Sequence, residues 1–160
     1  MDTKAKYEKH VILSFLKKLQ PVVVDRAKGA TMTDENGREF VDCFAGISVA
    51  NAGHGNDEVI AAAKAQIDKL IHCCSYVYYN KPVADLAEKF AAIIPGVNMQ
   101  KTFFANSGAE AIEGAMRLSK HFTGKSEFIA LQGSFHGRTL ATLGITGNSG
   151  RKHHGGPYPS

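Results

Sequence analysis

Two short stretches hold residue types that can do chemistry: Asn106-Ser107-Gly108-Ala109-Glu110 and Ser134-Phe135-His136-Gly137-Arg138-Thr139. In the first, Asn-Ser-Gly is turn chemistry, and Ser107 followed three residues later by Glu110 is a capping box that starts a helix at Gly108. The first turn of a helix leaves backbone N–H groups unpaired at the positive end of the dipole, and a glycine there gives an anion unobstructed approach. The stretch reads either as a phosphate cradle or as an ordinary capped helix of an α/β fold. In the second, an aromatic, a histidine and an arginine on a glycine-flanked loop can stack on a flat ring and fork a carboxylate. Taken alone, the same three residues also fit a core phenylalanine, a loop histidine and a surface arginine. Side by side, the two stretches favour a flat phosphorylated cofactor handling carboxylate substrates.

Other motifs lead nowhere. Gly124-Lys125-Ser126 resembles the end of a nucleotide P-loop, but position 119 is serine and the triplet precedes a strand-like run. No GxGxxG occurs. Ser107 lacks the preceding glycine of a hydrolase nucleophile elbow. His153-His154 has no acidic residue nearby and reads as a loop pair, and Cys73-Cys74 lacks metal-ligand spacing and reads as two packed thiols. No metal ligand set is expected.

The elements that must position these stretches follow from periodicity. Tyr7, Val11, Phe15 and Leu19 predict an amphipathic helix over 4–19, stopping before Pro21. Val22–Val24 and strand-like runs at 30–33 and 39–44, with Asp34-Glu35-Asn36-Gly37 as the hairpin turn, predict a small antiparallel β unit. A glycine-punctuated connector over 45–55 leads to a helix starting near Asn56 or Asp57. An irregular aromatic run at 73–79 follows, then a helix opened by Pro82 and closed by Pro95-Gly96. Phe103-Phe104 reads as a strand, the capped helix runs to Gly124, and 127–131 reads as a second strand. Strand, helix, strand predicts a right-handed parallel crossover with ligands beyond the strands' carboxyl ends, where both chemical stretches lie. The tail from Gly147 reads as a loop. The fold class is α/β: residues 1–55 form an N-terminal helix and small-domain β segment, and 56–160 the first, incomplete part of a mainly parallel-sheet large domain.

The 160 residues suit a soluble globular chain, with 44% apolar and 21% charged residues. The net charge of +4 is spread along the sequence without an aromatic-rich basic stripe, which argues against nucleic acid and suits an anionic small ligand. Three cysteines, two of them adjacent, suit a reducing compartment, and no run reaches the length of a membrane span. A cytoplasmic protein is expected.

Asn106 to Ala111 together with Ser134 to Thr139 resembles the class III aminotransferases, fold-type I enzymes using pyridoxal 5'-phosphate (PLP) and including the 4-aminobutyrate and acetylornithine aminotransferases. Asp34 to Gly37, Gly46-Ile47-Ser48-Val49 to Gly53-His54, and Tyr79 to Pro82 match as well. The resemblance implies that Ser107, Gly108 and Ala109 hold the PLP phosphate and that Phe135 stacks on the pyridine with His136 beside it. It also implies that Arg138 binds a substrate carboxylate and that Ile47 and Tyr76 line the substrate pocket. The family's Schiff-base lysine and its pyridine-pairing aspartate are expected beyond Ser160, so no catalytic residue is expected within this chain, an N-terminal fragment. The implied activity moves an amino group between an amine or amino acid and a 2-oxo acid, in a homodimer when full length. An aminomutase, racemase or decarboxylase of the same fold, or a non-catalytic truncated chain, remain the alternatives.

Overall fold

A computed structural model describes residues 2–13, 19–96, 98–152 and 155–158. The chain divides into two compact units, Met1–Tyr76 and Val77–Ser160.

The first unit is built on a three-stranded antiparallel sheet in the order β1 (Val24–Lys28), β2 (Thr31–Asp34), β3 (Glu39–Val41). Thr31 pairs with Val41 and Thr33 with Glu39, which confirms the expected hairpin, although β3 stops three residues short of Phe44. Asp34 fixes the turn. Its carboxylate is almost fully buried and accepts from the N–H groups of Asn36 and Arg38, both at 2.9 Å, and from Arg38 Nε at 2.7 Å. Gly37, at φ 80°, supplies the left-handed position that the hairpin requires. β1 is more polar than the Val22–Val24 run and begins on its last residue, so apolar content did not mark that strand's extent.

The first helix, α1, spans Thr3–His10, not 4–19. Val11 already has extended backbone, Tyr7 alone of the predicted stripe lies inside the helix, and Phe15 falls outside the described residues. Three lysines and a single apolar contact residue give a helix little to bury, so nothing extends it. A one-turn element, α2 (Ala45–Ser48), follows the sheet. Next comes α3 (Asp57–Lys69), capped by the Asn56 side chain, which accepts from Val59 N–H at 3.1 Å. The cysteine pair departs from expectation: Cys74 is exposed and Cys73 only half-buried, and neither is in a disulfide.

In the second unit, α4 (Lys81–Ile93) carries Pro82 in its first turn and is capped by Asn80. α5 (Gly108–Thr123) ends at Gly124, whose left-handed backbone (φ 68°) closes the helix. The small residues of α5 let an aromatic lie against it: a Cβ on Gly114 would sit 2.7 Å from the Phe103 ring. Two short helices that sequence periodicity did not signal, α6 (Leu140–Ile145) and α7 (Ser149–Lys152), complete the unit.

The runs at 101–105 and 127–131 form no β ladder among the described residues, so the predicted parallel crossover is not closed. A strand is defined by its neighbour, and neither run has one here. Their side chains match that state: Phe103, Ile129 and Leu131 are exposed. The accessible surface of the chain is 13682 Å². A folded chain of this size shows about 7,800 Å², and two separate domains of half the size about 9,400 Å² together. Among the described apolar residues only Met116 is buried.

Candidate functional site

The site in the second unit begins at the start of α5. Ser107 has extended backbone, and its Oγ accepts from Glu110 N–H at 3.2 Å. The Glu110 carboxylate reaches back one residue further than in the usual capping box and accepts from Asn106 N–H at 2.7 Å. That displacement matters. Among the described residues nothing accepts from the N–H groups of Ser107, Gly108 or Ala109. A Cβ built on Gly108 meets nothing within 4 Å. Three amides without an acceptor among the described residues, the Ser107 hydroxyl and the positive end of a 16-residue helix thus lie together at the start of α5, with open space at Gly108.

The second stretch is held from behind by two threonines that sequence reasoning missed. Thr142 and Thr146, on and just after α6, are fully buried. Thr146 Oγ1 accepts from His136 N–H at 3.3 Å and donates to Thr142 O at 2.9 Å. Gly147 N–H donates to Ser134 O at 2.9 Å, tying the base of the loop to the chain beyond α6. No pattern in the sequence marks a buried threonine pair, because threonine is as common on surfaces.

Gly137 joins the two stretches. A Cβ there would lie 2.8 Å from Ala109 Cβ and 2.5 Å from Thr142 Oγ1, and its φ of +139° suits glycine. The tip of the 134–139 loop thus lies directly against the first turn of α5, and Ser107, Gly108, Ala109, Phe135 and His136 belong to one locality. Phe135 is 55% exposed. The guanidinium of Arg138 lies 5.5 Å from its ring centroid and that of Arg151 5.2 Å, so two cations share one aromatic. Ser134 Oγ is buried with no partner among the described residues.

The residues fit a phosphorylated planar ring. The open amides and hydroxyl match a phosphate, and the exposed Phe135 ring offers a stacking face once a pyridine takes the free side or the place of one guanidinium. Ile47 and Tyr76 lie in the first unit, 71% and 98% exposed respectively. Hollows lie elsewhere, of about 560 Å³ beside α1 and about 950 Å³ along α5 and Phe103. Neither includes Ser107, Gly108 or the 134–139 loop. His153-His154 lies outside the described residues; among the described ones no three His, Cys, Asp or Glu side chains gather to hold a metal. No described helix is long and apolar enough to cross a membrane.

Comparison with known proteins bears on the same residues. The family model for Aminotransferase class-III matches residues 15–159. The acetylornithine aminotransferase of Methanothermobacter thermautotrophicus is 49% identical over 80% of this chain and 32% of its own. The 5-aminovalerate aminotransferase of Pseudomonas aeruginosa is 43% identical over 81% of this chain and 30% of its own. The omega transaminase from Pseudomonas jessenii, solved in complex with PMP, superposes with a TM-score of 0.88 at 26% identity, over 99% of this chain and 38% of that one. The chain therefore spans about a third of the length of the curated relatives it matches.

Proposed function

This chain belongs to the class-III aminotransferases, a PLP-dependent family of fold type I, and we propose that it forms the cofactor-anchoring part of an enzyme moving an amino group from an amine or amino acid to a 2-oxo acid. Residues 1–55 are its small-domain segment and 56–160 the first part of its large domain. The observation that carries the reading is the contact of Gly137 with Ala109, beside amides left open at Gly108.

In this reading Ser107, Gly108 and Ala109 bind the phosphate through N–H groups and the Ser107 hydroxyl, which fixes the ring's position. Phe135 orients the ring by stacking, and His136 flanks it on a loop whose backbone Thr146 holds still. Bound there, PLP supplies an electron sink for the carbon that bears the amine. Arg138 forks the substrate carboxylate, and Ile47 and Tyr76 line the pocket. The lysine that binds the cofactor covalently lies beyond Ser160, as does the aspartate that faces the pyridine nitrogen. The relatives named for acetylornithine and 5-aminovalerate support a donor whose primary amine sits several carbons from a carboxylate; in this reading the full-length enzyme is a cytoplasmic homodimer.

The test is borohydride reduction of the PLP-loaded, full-length protein followed by peptide mapping. Label on a lysine beyond Ser160 is expected, and label confined to residues 1–160 refutes the reading. Activity with 5-aminovalerate or N-acetylornithine and a 2-oxo acid then identifies the donor. Arg138→Ala should weaken these carboxylate donors far more than PLP retention; equal loss of both would make Arg138 structural.

A further inference from the structure

Between β3 and α3 the chain makes one turn of left-handed helix. Ala45, Gly46, Ile47 and Ser48 have φ of 50°, 60°, 63° and 63°. Ser48 N–H donates to Phe44 O at 3.1 Å and Val49 N–H to Ala45 O at 2.8 Å, so the turn is hydrogen-bonded as a helix of the unfavoured hand. Left-handed backbone is adopted by single glycines, not by consecutive residues bearing Cβ, and a β-branched isoleucine there is a genuine outlier. Strain of this kind persists only where the surroundings over-determine it.

One side chain does most of the holding. Asp42, 4% exposed, accepts through Oδ1 from the N–H groups of Phe44 and Ala45, each at 2.8 Å, at the entry to the turn. Its Oδ2 meets His54 Nε2 at 2.6 Å. His54 is itself docked on the sheet, exchanging two backbone hydrogen bonds with Gly29 at 2.8 Å each, and Asp42 N–H donates to Ala30 O at 2.8 Å. The excursion from 42 to 54 is thus closed at its base on adjacent residues of the β1–β2 hairpin. From that base the turn presents Phe44, Ile47 and Val49, all exposed.

We propose that the Asp42–His54 pair is a latch that keeps this turn left-handed and so sets where Ile47 stands against the substrate. The inference rests on the assignment of Ile47 to the substrate pocket. Asp42 and His54 are positioning residues. They act through the turn and touch neither cofactor nor substrate.

The test uses full-length protein loaded with PLP, with crystal structures of each variant reading φ at Ala45, Ile47 and Ser48. His54→Ala should relax the turn and raise KM for the amino donor about tenfold or more, with kcat changed less than about threefold. His54→Gln, which keeps an N–H donor, should stay near wild type. The pair Ala45→Gly and Ser48→Gly removes the left-handed penalty at both positions without touching Ile47, so adding it to His54→Ala should restore the turn and KM. The same background carries the test should the single variant not fold. A left-handed turn retained in His54→Ala overturns the latch, as does a relaxed turn with unchanged KM. If the unmutated protein shows no PLP-dependent turnover, the aminotransferase reading fails, while the variants' turn geometry still decides the latch.

Discussion

Replacing Gly137 by alanine tests the central geometric claim, because it places one methyl group between the two halves of the site. The added Cβ would lie 2.8 Å from Ala109 Cβ, 2.5 Å from Thr142 Oγ1 and 3.0 Å from Thr142 Cβ. Carbon atoms in contact rest about 3.5–4.0 Å apart, so Ala109 and the loop must separate by roughly 1 Å. Thr142 cannot yield easily, since it is fully buried and bonded to Thr139 Oγ1 at 2.8 Å. Overpacking of this kind costs about 1–3 kcal/mol, and the φ of +139° adds about 1–3 kcal/mol of backbone strain. The loop relieves both by lifting Phe135 away from the cradle. If about 2–3 kcal/mol of that relief is given up when PLP draws the halves together again, affinity falls about 30- to 150-fold. Equilibrium titration of the full-length protein with PLP, followed by absorbance, measures the change. Gly133→Ala is the control. Its φ is +79° but a Cβ there meets nothing within 4 Å, so it should lower stability by about 1 kcal/mol and leave PLP affinity within about threefold. If Gly137→Ala also binds PLP within that margin, the loop and the start of α5 do not form one site.

Three further outcomes follow from particular bonds. Ser107→Ala removes the Oγ that accepts from Glu110 N–H and, with it, the hydroxyl proposed to bind the phosphate; it should destabilise α5 by about 1 kcal/mol and weaken PLP roughly ten- to a hundredfold, read by thermal unfolding and titration. Thr146→Val keeps the shape but strands the part-buried His136 N–H behind a fully buried side chain, so unfolding free energy should fall by about 1–3 kcal/mol while Thr146→Ser stays closer to wild type; equal losses would assign the effect to the methyl group. On acidification, Asp42 matters most in the first unit. The His54 hydrogen bond first, then the Ala45 and Phe44 N–H groups, lower its pKa from 3.8 to about 2. A lowered folded-state pKa contributes stability that is full above the ordinary value and is lost as pH falls through the lowered one. Ellipticity of the first unit should therefore decline between about pH 4 and pH 2, and Asp42→Asn should flatten that decline. Asp34 adds to it in the same direction: burial pushes its carboxyl up, but the Arg38 N–H and guanidinium and the Asn36 N–H outweigh this and hold it below 3.8.

Features set by local chemistry were legible in the sequence. The cap at Ser107, the helix starts near Asn56 and Pro82, the helix end near Gly124 and the Asp34–Gly37 turn each depend on a few adjacent residues, and all stand where those residues place them. That the two stretches meet was expected from the ends of strands that form no ladder here; what lets them meet is Gly137, where a Cβ would crowd Ala109. What escaped notice depends on partners remote in sequence. Thr142 and Thr146 look like surface residues until α6 turns their hydroxyls back onto the loop, and the left-handed turn at Ala45–Ser48 is invisible because propensity assigns that hand to glycine alone. Phe135 was read as a stacking ring, but its neighbourhood with Arg151, sixteen positions later, carries no local signal.

The runs at 101–105 and 127–131 show the same limit at the scale of the sheet. Their composition reports a tendency to be extended and buried, yet a ladder is a property of two chains of backbone and burial a property of a surface and its cover. The matched residues amount to 38% of the solved transaminase from Pseudomonas jessenii, so most of that fold lies outside them. A strand whose neighbours belong to that larger part remains unpaired here, with Ile129 and Leu131 facing outward. The start of α5 does not share this dependence. Its cap, its open amides and its contact with Gly137 are all made by residues 106–146. The start of α5 is therefore preorganised by local bonds, whereas the runs at 101–105 and 127–131 need partners before their apolar surface is covered.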